Sequence, residues 1–437
     1  MNKVKIGDFL YRIKRPIVLN PNDEYKLVTI KMHHKGVILR GLKKGFDIKS
    51  KMYEVKEGDF ILSGIDARNG AFGIVSSELD GAIVTNDFWY FSLNEEIIDK
   101  YFFLELTSTS WFDEICRLGS DGTTQRIRLQ KNKFFKQEIN LPPLNEQQNF
   151  ISAFIKSKTI NNKIEKEINT QQTLLKKLRQ SILQEAIEGK LTTSWREQNP
   201  DVESASILLE KIKQEKEQLV KDKKIKKQKS LPLINEDEIP FDIPDSWEWC
   251  KLSELINLKS GNVYKYKTVN TGIPYIKVGD MNLGENLYSV EESSTYFEKD
   301  GIKETDVIPK NSIIFPKRGG AIATNKKKKV LTKKILIDSN TMAIIVPESL
   351  NFEYLYNWFV SIDLSTLGNE SVVPQVNNKD IEPLILSLPP LQEQKEVVKK
   401  IENLFKICDE LETQINSSKT NSQTLMKAVL KEAFESQ

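Results

Sequence analysis

The sequence predicts an α/β (α+β) protein built as a pseudo-two-fold tandem repeat, in which two mixed domains each run into a long helix and the two helices pair as an antiparallel coiled coil. Two observations carry this prediction. Leu141-Pro142-Pro143-Leu144-Asn145-Glu146-Gln147 recurs 247 residues later (141 to 388) as Leu388-Pro389-Pro390-Leu391-Gln392-Glu393-Gln394, and Leu183-Gln184-Glu185-Ala186 faces Leu430-Lys431-Glu432-Ala433 at the same offset. Register held over that span points to a rigid element, because loops tolerate changes of length and packed long helices do not. The second observation is texture. Each Pro-Pro turn is preceded by about 140 residues of short apolar runs broken by turn residues.

The elements follow in chain order. In the first mixed domain, residues 1–140, the runs Phe60-Ile61-Leu62, Ala82-Ile83-Val84 and Trp89-Tyr90-Phe91 read as strands, and 97–115 reads as helical. In the first long-helix segment, 141–190, Pro142-Pro143 suit a start just after them and Gly189 suits a stop. Ile164, Ile168, Leu175, Leu178 and Ile182 alternate steps of four and three, the spacing of a coiled-coil seam, with Gln171 at the missing place. Leu411, Ile415, Leu425 and Val429 take the same slots in the second copy, 388–437, where Ser418 and Ser422 weaken the middle. Two amphipathic helices packed on separate cores would show a broader apolar stripe.

The antiparallel sense follows from the order of the parts. Each mixed domain precedes its helix, so parallel pairing would crowd both domains at one end. The linker would then have to return along a helix of about 60 Å. Between the copies, 191–242, the stretch 211–229 is dense in Lys and Glu, and Pro232, Pro240 and Pro244 break any helix beyond it. This reads as a solvated helix and a linker. The second mixed domain, 243–387, has strand-like runs at Ile313-Ile314-Phe315, Ile335-Leu336-Ile337 and 342–346, and a helix at 352–362.

Composition limits what such a chain can do. Its net charge is +3 over 437 residues, so any anionic ligand must be held by local basic patches. Cys116, Cys250 and Cys408 are odd in number and far apart, which indicates neither a disulfide framework nor a cysteine zinc site. With no apolar signal region and no run of eighteen apolar residues, the reading is a cytoplasmic protein that does not cross a membrane. Catalytic machinery is not indicated. Both Pro-Pro pairs lie between leucines rather than in a base-amine methyltransferase loop, and Gly70 to Gly73 and Gly319-Gly320 lack the spacing of a dinucleotide or Walker loop. The two histidines, His33 and His34, are too little material for a metal or triad site. A nuclease-like set, Asp201 with Asp222-Lys223-Lys224, falls among charges that a solvated helix carries anyway. No catalytic, cofactor or metal residue is therefore assigned.

The residues left over suit nucleic acid. Arg68-Asn69-Gly70 follows the first strand run and Lys317-Arg318-Gly319-Gly320 follows its counterpart. Arginine reads guanine O6 and N7 through two parallel hydrogen bonds, and glycine lets backbone approach DNA. The alternative for each is an ordinary surface arginine in a turn. His33, Lys35 and Arg40 in the first domain, and Lys326 and Lys327 in the second, suit phosphate contacts better than base contacts. Gln125-Arg126 and Gln375 precede the two Pro-Pro turns and suit either purpose.

Taken together, the twice-used Leu-Pro-Pro-Leu-x-Glu-Gln turn, the exit Gly189-Lys190-Leu191-Thr192 to Trp195-Arg196, Ile243-Pro244-Asp245-Ser246-Trp247-Glu248-Trp249, and the stretch from Gly58 to Gly73 are specific in order and spacing. On them the chain resembles the specificity subunit of type I restriction-modification systems along essentially its whole length. The resemblance implies two target-recognition domains, each reading half of a split site in double-stranded DNA. It also implies two antiparallel helices and a complex with two modification subunits, DNA adenine methyltransferases, usually joined by restriction subunits. S-adenosylmethionine, ATP and Mg²⁺ would belong to those partners. A lone DNA-reading protein and a coiled-coil scaffold that binds protein remain the alternatives.

Overall fold

The computed structural model describes residues 2–122, 127–225, 227, 231–368 and 373–434. It divides into two compact units, Met1–Asn169 with Asn416–Gln437, and Thr170–Ile415. Each unit contains one mixed domain and part of both long helices.

In the first unit, strands Leu10–Ile13, Phe88–Leu93, Phe60–Ser63 and Phe72–Ile74 lie in that order as an antiparallel sheet. A five-stranded sheet orders Pro16–Ile17, Met52–Glu54, Ile83–Val84, Glu24–Ile30 and Val37–Lys44, with Glu24–Ile30 parallel to Ile83–Val84. Strand Asn2–Lys5 pairs with Glu138–Leu141 and so ties the start of the chain to the Pro-Pro turn. The helix expected over 97–115 is two helices, Lys100–Thr107 and Ser110–Leu118. The Ser108 and Thr109 hydroxyls donate to the carbonyls of Glu105 and Leu106, competing with continuation of the first helix.

The second unit repeats the plan. Asn257–Ser260, Thr341–Ile345, Ser312–Pro316 and Lys328–Val330 form an antiparallel sheet in the same sequence of roles. A second sheet again contains a parallel pair, Ile273–Ile276 with Leu336–Ile337, and Glu248–Lys251 pairs with Ile385–Leu388 ahead of the second Pro-Pro turn. The helix read within the charged stretch 211–229 starts earlier and has one docked face, while most of its described lysines and glutamates are exposed or half-buried. Helix Ala205–Lys221 buries Ala205, Leu208, Leu209 and Ile212, which share one face by their three-and-four spacing and lie mostly ahead of the lysine-rich stretch. Lys216 Nζ donates to the carbonyls of Ser253 and Ile256, 2.5 and 2.9 Å away, so the helix docks on this unit's mixed domain.

Both long helices contain 44 residues, Leu144–Ile187 and Leu391–Phe434, and the 247-residue offset relates both their starts and their ends. At about 1.5 Å per residue each is about 66 Å long. They run antiparallel within each unit. In the second, Arg179 bonds Asp409 at 2.6 Å and Glu412 at 3.2 Å, while Ser387 reaches back to Ile187. In the first, Asn161 accepts from Ser422, and a groove joins Glu165 and Ile168 to Lys419.

The seam is narrower than its sequence spacing suggests. Ile168, Leu175 and Ile182, seven residues apart, are buried, as are Ile401, Cys408 and Ile415 with the same step. The hydrogen-bonded pair Asn161 and Ser422 continues both series. By contrast Ile164, Leu178, Leu411 and Leu425 are exposed, and Val429 is half-buried. A pair of helices has one contact line, and the second row of each apolar stripe falls on its flank.

Candidate nucleic-acid interface

In the first domain the chain leaves strand Phe60–Ser63 into a single 3-10 turn, Ala67–Asn69, which ends at Gly70 with φ +71°. This turn holds another. The His33 amide donates to Asn69 O at 2.8 Å and the His34 amide to Gly70 O at 3.0 Å. His33 and His34 both adopt left-handed backbone, φ +61° and +57°, a conformation that costs non-glycine residues about 1 kcal/mol or more each. The His34 ring packs edge-on against Phe72 and its Nε2 lies 3.0 Å from Asp113 Oδ2. A Cβ on Gly70 would come within 3.0 Å of that ring, so the glycine serves the close approach of the two turns as well as its own φ. The structure thus brings His33, Arg68 and Asn69 together, with exposed Lys35 continuing the histidine turn. Arg40 is exposed further along strand Val37–Lys44. Gln125 and Arg126 lie outside the described residues.

In the second domain strand Ser312–Pro316 occupies the place of Phe60–Ser63, and Lys317 and Arg318 leave it. Arg318 bridges Gln375 through backbone, with Nη2 3.5 Å from Gln375 Oε1, and Gln375 Nε2 donates to Asn377 Oδ1 at 3.0 Å. The structure therefore unites Arg318 with Gln375. Partial burial first, and Arg318 beside it second, lower the pKa of the Lys317 ammonium.

The lysine run behaves differently from its expectation. Lys327, read as a phosphate contact, is 7% exposed. Its Nζ donates to Ile362 O at 2.5 Å and Asn325 Oδ1 at 2.8 Å and lies over the Phe359 ring, and burial lowers its pKa to about 7. It caps the end of helix Phe352–Ser361 rather than facing solvent. Lys328 is buried and donates to Leu287 O, while Lys326 is engaged by Asn282. The neighbours Lys327 and Lys328 both turn inward because backbone carbonyls from elsewhere in the fold accept their hydrogen bonds, which composition alone does not reveal.

A polar network not assigned from sequence fixes both Pro-Pro turns. Gln147 Nε2 donates to Pro142 O and Ile97 O while its Oε1 accepts from the amide of Asp99, the N-cap of Lys100–Thr107. Gln394 does the same with Pro389 O and the amide of Asn351, N-cap of Phe352–Ser361. The repeated glutamine was the available signal.

Among the described residues there is no group of three or more His, Cys, Asp or Glu that could hold a metal ion, and no helix is long and apolar enough to cross a membrane.

The family model described as type I restriction modification DNA specificity domain matches residues 1–171 and 244–418. The specificity subunit of the type I restriction enzyme EcoAI of Escherichia coli is 30% identical over 261 residues, 58% of this chain and 43% of that protein. That of EcoEI, also from Escherichia coli, is 28% identical over 286 residues, 60% of this chain and 45% of that one. The chain spans about half the length of these curated relatives. Among solved structures, the HsdS subunit of Thermoanaerobacter tengcongensis aligns over 99% of this chain and 96% of its own, with a TM-score of 0.57 and 16% identity. A chain from a study of complex assembly and conformational transition of the type I R-M system aligns over 99% and 97%, with a TM-score of 0.66 and 16% identity. At that identity these likenesses bear on the fold.

Proposed function

This chain belongs to the type I restriction modification DNA specificity family, the premise from which we propose that it is the sequence-reading subunit of a type I complex. Mixed domains 1–140 and 243–387 each read one half of a bipartite site in double-stranded DNA. The helix segments 141–190 and 388–437 set the spacing of the halves, and 191–242 joins the copies. The chain carries out no chemistry itself. In the cytoplasm it positions two adenine-methylating modification subunits and the restriction subunits, which bring their own cofactors.

The observation that carries this reading is that Arg68 and Arg318 follow the equivalent strand of the four-stranded sheet in the two domains, each within two residues of a glycine with positive φ, Gly70 or Gly319. Two domains that present arginine from one frame suit two half-sites. His33, Lys35, Arg40, Asn69, Lys317, Lys326 and Gln375 are assigned as flanking contacts. Assembly with partners is supported by the apolar flank of the helix pair, where Ile160, Ile164 and Leu425 line an open groove of about 500 Å³.

Methylome sequencing of a host carrying this chain with a separate adenine methylase tests the reading. It should show one bipartite motif with a fixed spacer, and a contiguous motif would overturn it. Four residues inserted after Gln171 should change or abolish the permitted spacer while leaving both half-sites intact, and full activity at the original spacer would rule out the ruler.

A further inference from the structure

The two Pro-Pro-Leu-x-Glu-Gln turns have the same backbone setting and different surroundings. In the second copy Glu393 is fully buried, and its carboxylate accepts from Thr192 Oγ1 at 2.6 Å, Arg196 Nη1 at 2.5 Å and Trp247 Nε1 at 2.8 Å. Ser387 and Pro390 are buried beside it, and Ser387 Oγ donates to Ile187 O at 2.6 Å. In the first copy the glutamine clamp is reproduced in full, yet Asn140, Pro143 and Glu146, the residues 247 positions earlier, are all exposed. Among the described residues no donor reaches the Glu146 carboxylate.

This face is not suited to DNA, because a carboxylate repels phosphate. The turn that Gln147 holds through Ile97 O carries exposed Glu95 and Glu96, which add charge of the same sign. Its complement is already drawn in the second copy, where a hydroxyl and, four residues later, an arginine meet the equivalent carboxylate. The chain's own Thr192 and Arg196 are engaged there.

We propose that the face formed by Asn140, Pro143 and Glu146 is a docking surface for a segment of a partner subunit that presents a hydroxyl and an arginine one helical turn apart, with the arginine pairing to Glu146. This rests on the assembly half of the function proposed above and is independent of its DNA-reading half. The fork of an arginine fits a carboxylate through two bonds, so lysine is a poorer match than arginine at this place.

The probe is a fluorescent peptide with the sequence of residues 187–198, titrated into the full chain. Saturable one-to-one binding is expected. Glu146→Arg in the chain, or Arg196→Ala in the peptide, should each weaken it about tenfold or more. Because Glu146 is exposed, Glu146→Arg should leave the thermal midpoint and DNA binding unchanged while weakening capture of the modification subunit. No saturable binding up to about 1 mM, or equal binding to both chains, overturns the proposal. So does a loss of self-association in Glu146→Arg, which would make the occupant a second copy of this chain. A bipartite methylation motif together with peptide failure would sink this proposal and leave the DNA-reading function standing.

Discussion

The two mixed domains share a strand order and fill it with different chemistry. The first is packed with phenylalanine, and Phe9, Phe60, Phe72, Phe103 and Phe112 meet edge to face at centroid distances from 4.8 to 6.2 Å. The second is packed with isoleucine, among them Ile276, Ile308, Ile314, Ile335 and Ile337. A core needs apolar volume in the right pattern more than particular residues, so both sets hold the same frame. The turn that leaves the central strand shows the same freedom. In one domain it is clamped to two left-handed histidines, in the other to Gln375. Each turn carries an arginine, and the residues that hold the turn differ.

The comparison between copies breaks most sharply at the Pro-Pro turns. Glu393→Ala leaves Arg196 without its buried partner and should destabilise the second unit by about 3–5 kcal/mol, whereas Glu146→Ala should fall within about 0.5 kcal/mol of wild type. Urea unfolding of the two variants checks this, and equal shifts would show that the copies are not different after all.

Between the two arginines the expected effect is smaller and separable. Arg68→Ala and Arg318→Ala should each cost about 1–3 kcal/mol at one half-site and relax only that half. Binding to libraries randomised in each half reads the result, and a uniform loss over all sequences would demote both residues to phosphate contacts.

A third contrast lies in charge. His33, Lys35 and Arg40 of the first domain are exposed, whereas Lys327 of the second is buried with its pKa lowered from 10.5 to about 7. Between those values the unfolded chain binds the extra proton, so stability should rise with pH across that window, by up to about 1.4 kcal/mol per unit. Lys327→Met should flatten the slope. Denaturant melts at pH 7, 8 and 9 measure it, and an unchanged slope in the variant would place its origin elsewhere.

Much of the frame was readable in the sequence because it is written in spacing. The 247-residue offset located both helices, and the bounded apolar runs located the central strands. What escaped depended on particular hydrogen-bond partners, some local and some distant in the chain. Ser108 and Thr109 split a helix by bonding their own backbone, and Lys327 turned inward because Ile362 and Asn325 waited for it. At the seam, the apolar pattern named both rows of each stripe, but a single neighbour covers one. The candidate contacts were legible as residue types only, since the meeting of Asn69 and Gly70 with His33 and His34 joins segments more than thirty residues apart.

The hydrogen bond between Asn161 and Ser422 has a consequence for mistakes. If one helix slid by a single heptad, Asn161 would come opposite Ile415 and Ser422 opposite Phe154, or, in the other direction, Asn161 opposite Val429 and Ser422 opposite Ile168. Two polar groups would then lose their mutual bond and lie against hydrocarbon, at about 1–3 kcal/mol for each that is cut off from water. The apolar residues of the seam repeat every seven and would tolerate the slip. The polar pair does not repeat, so it acts as an alignment mark that distinguishes the correct overlap from its neighbours.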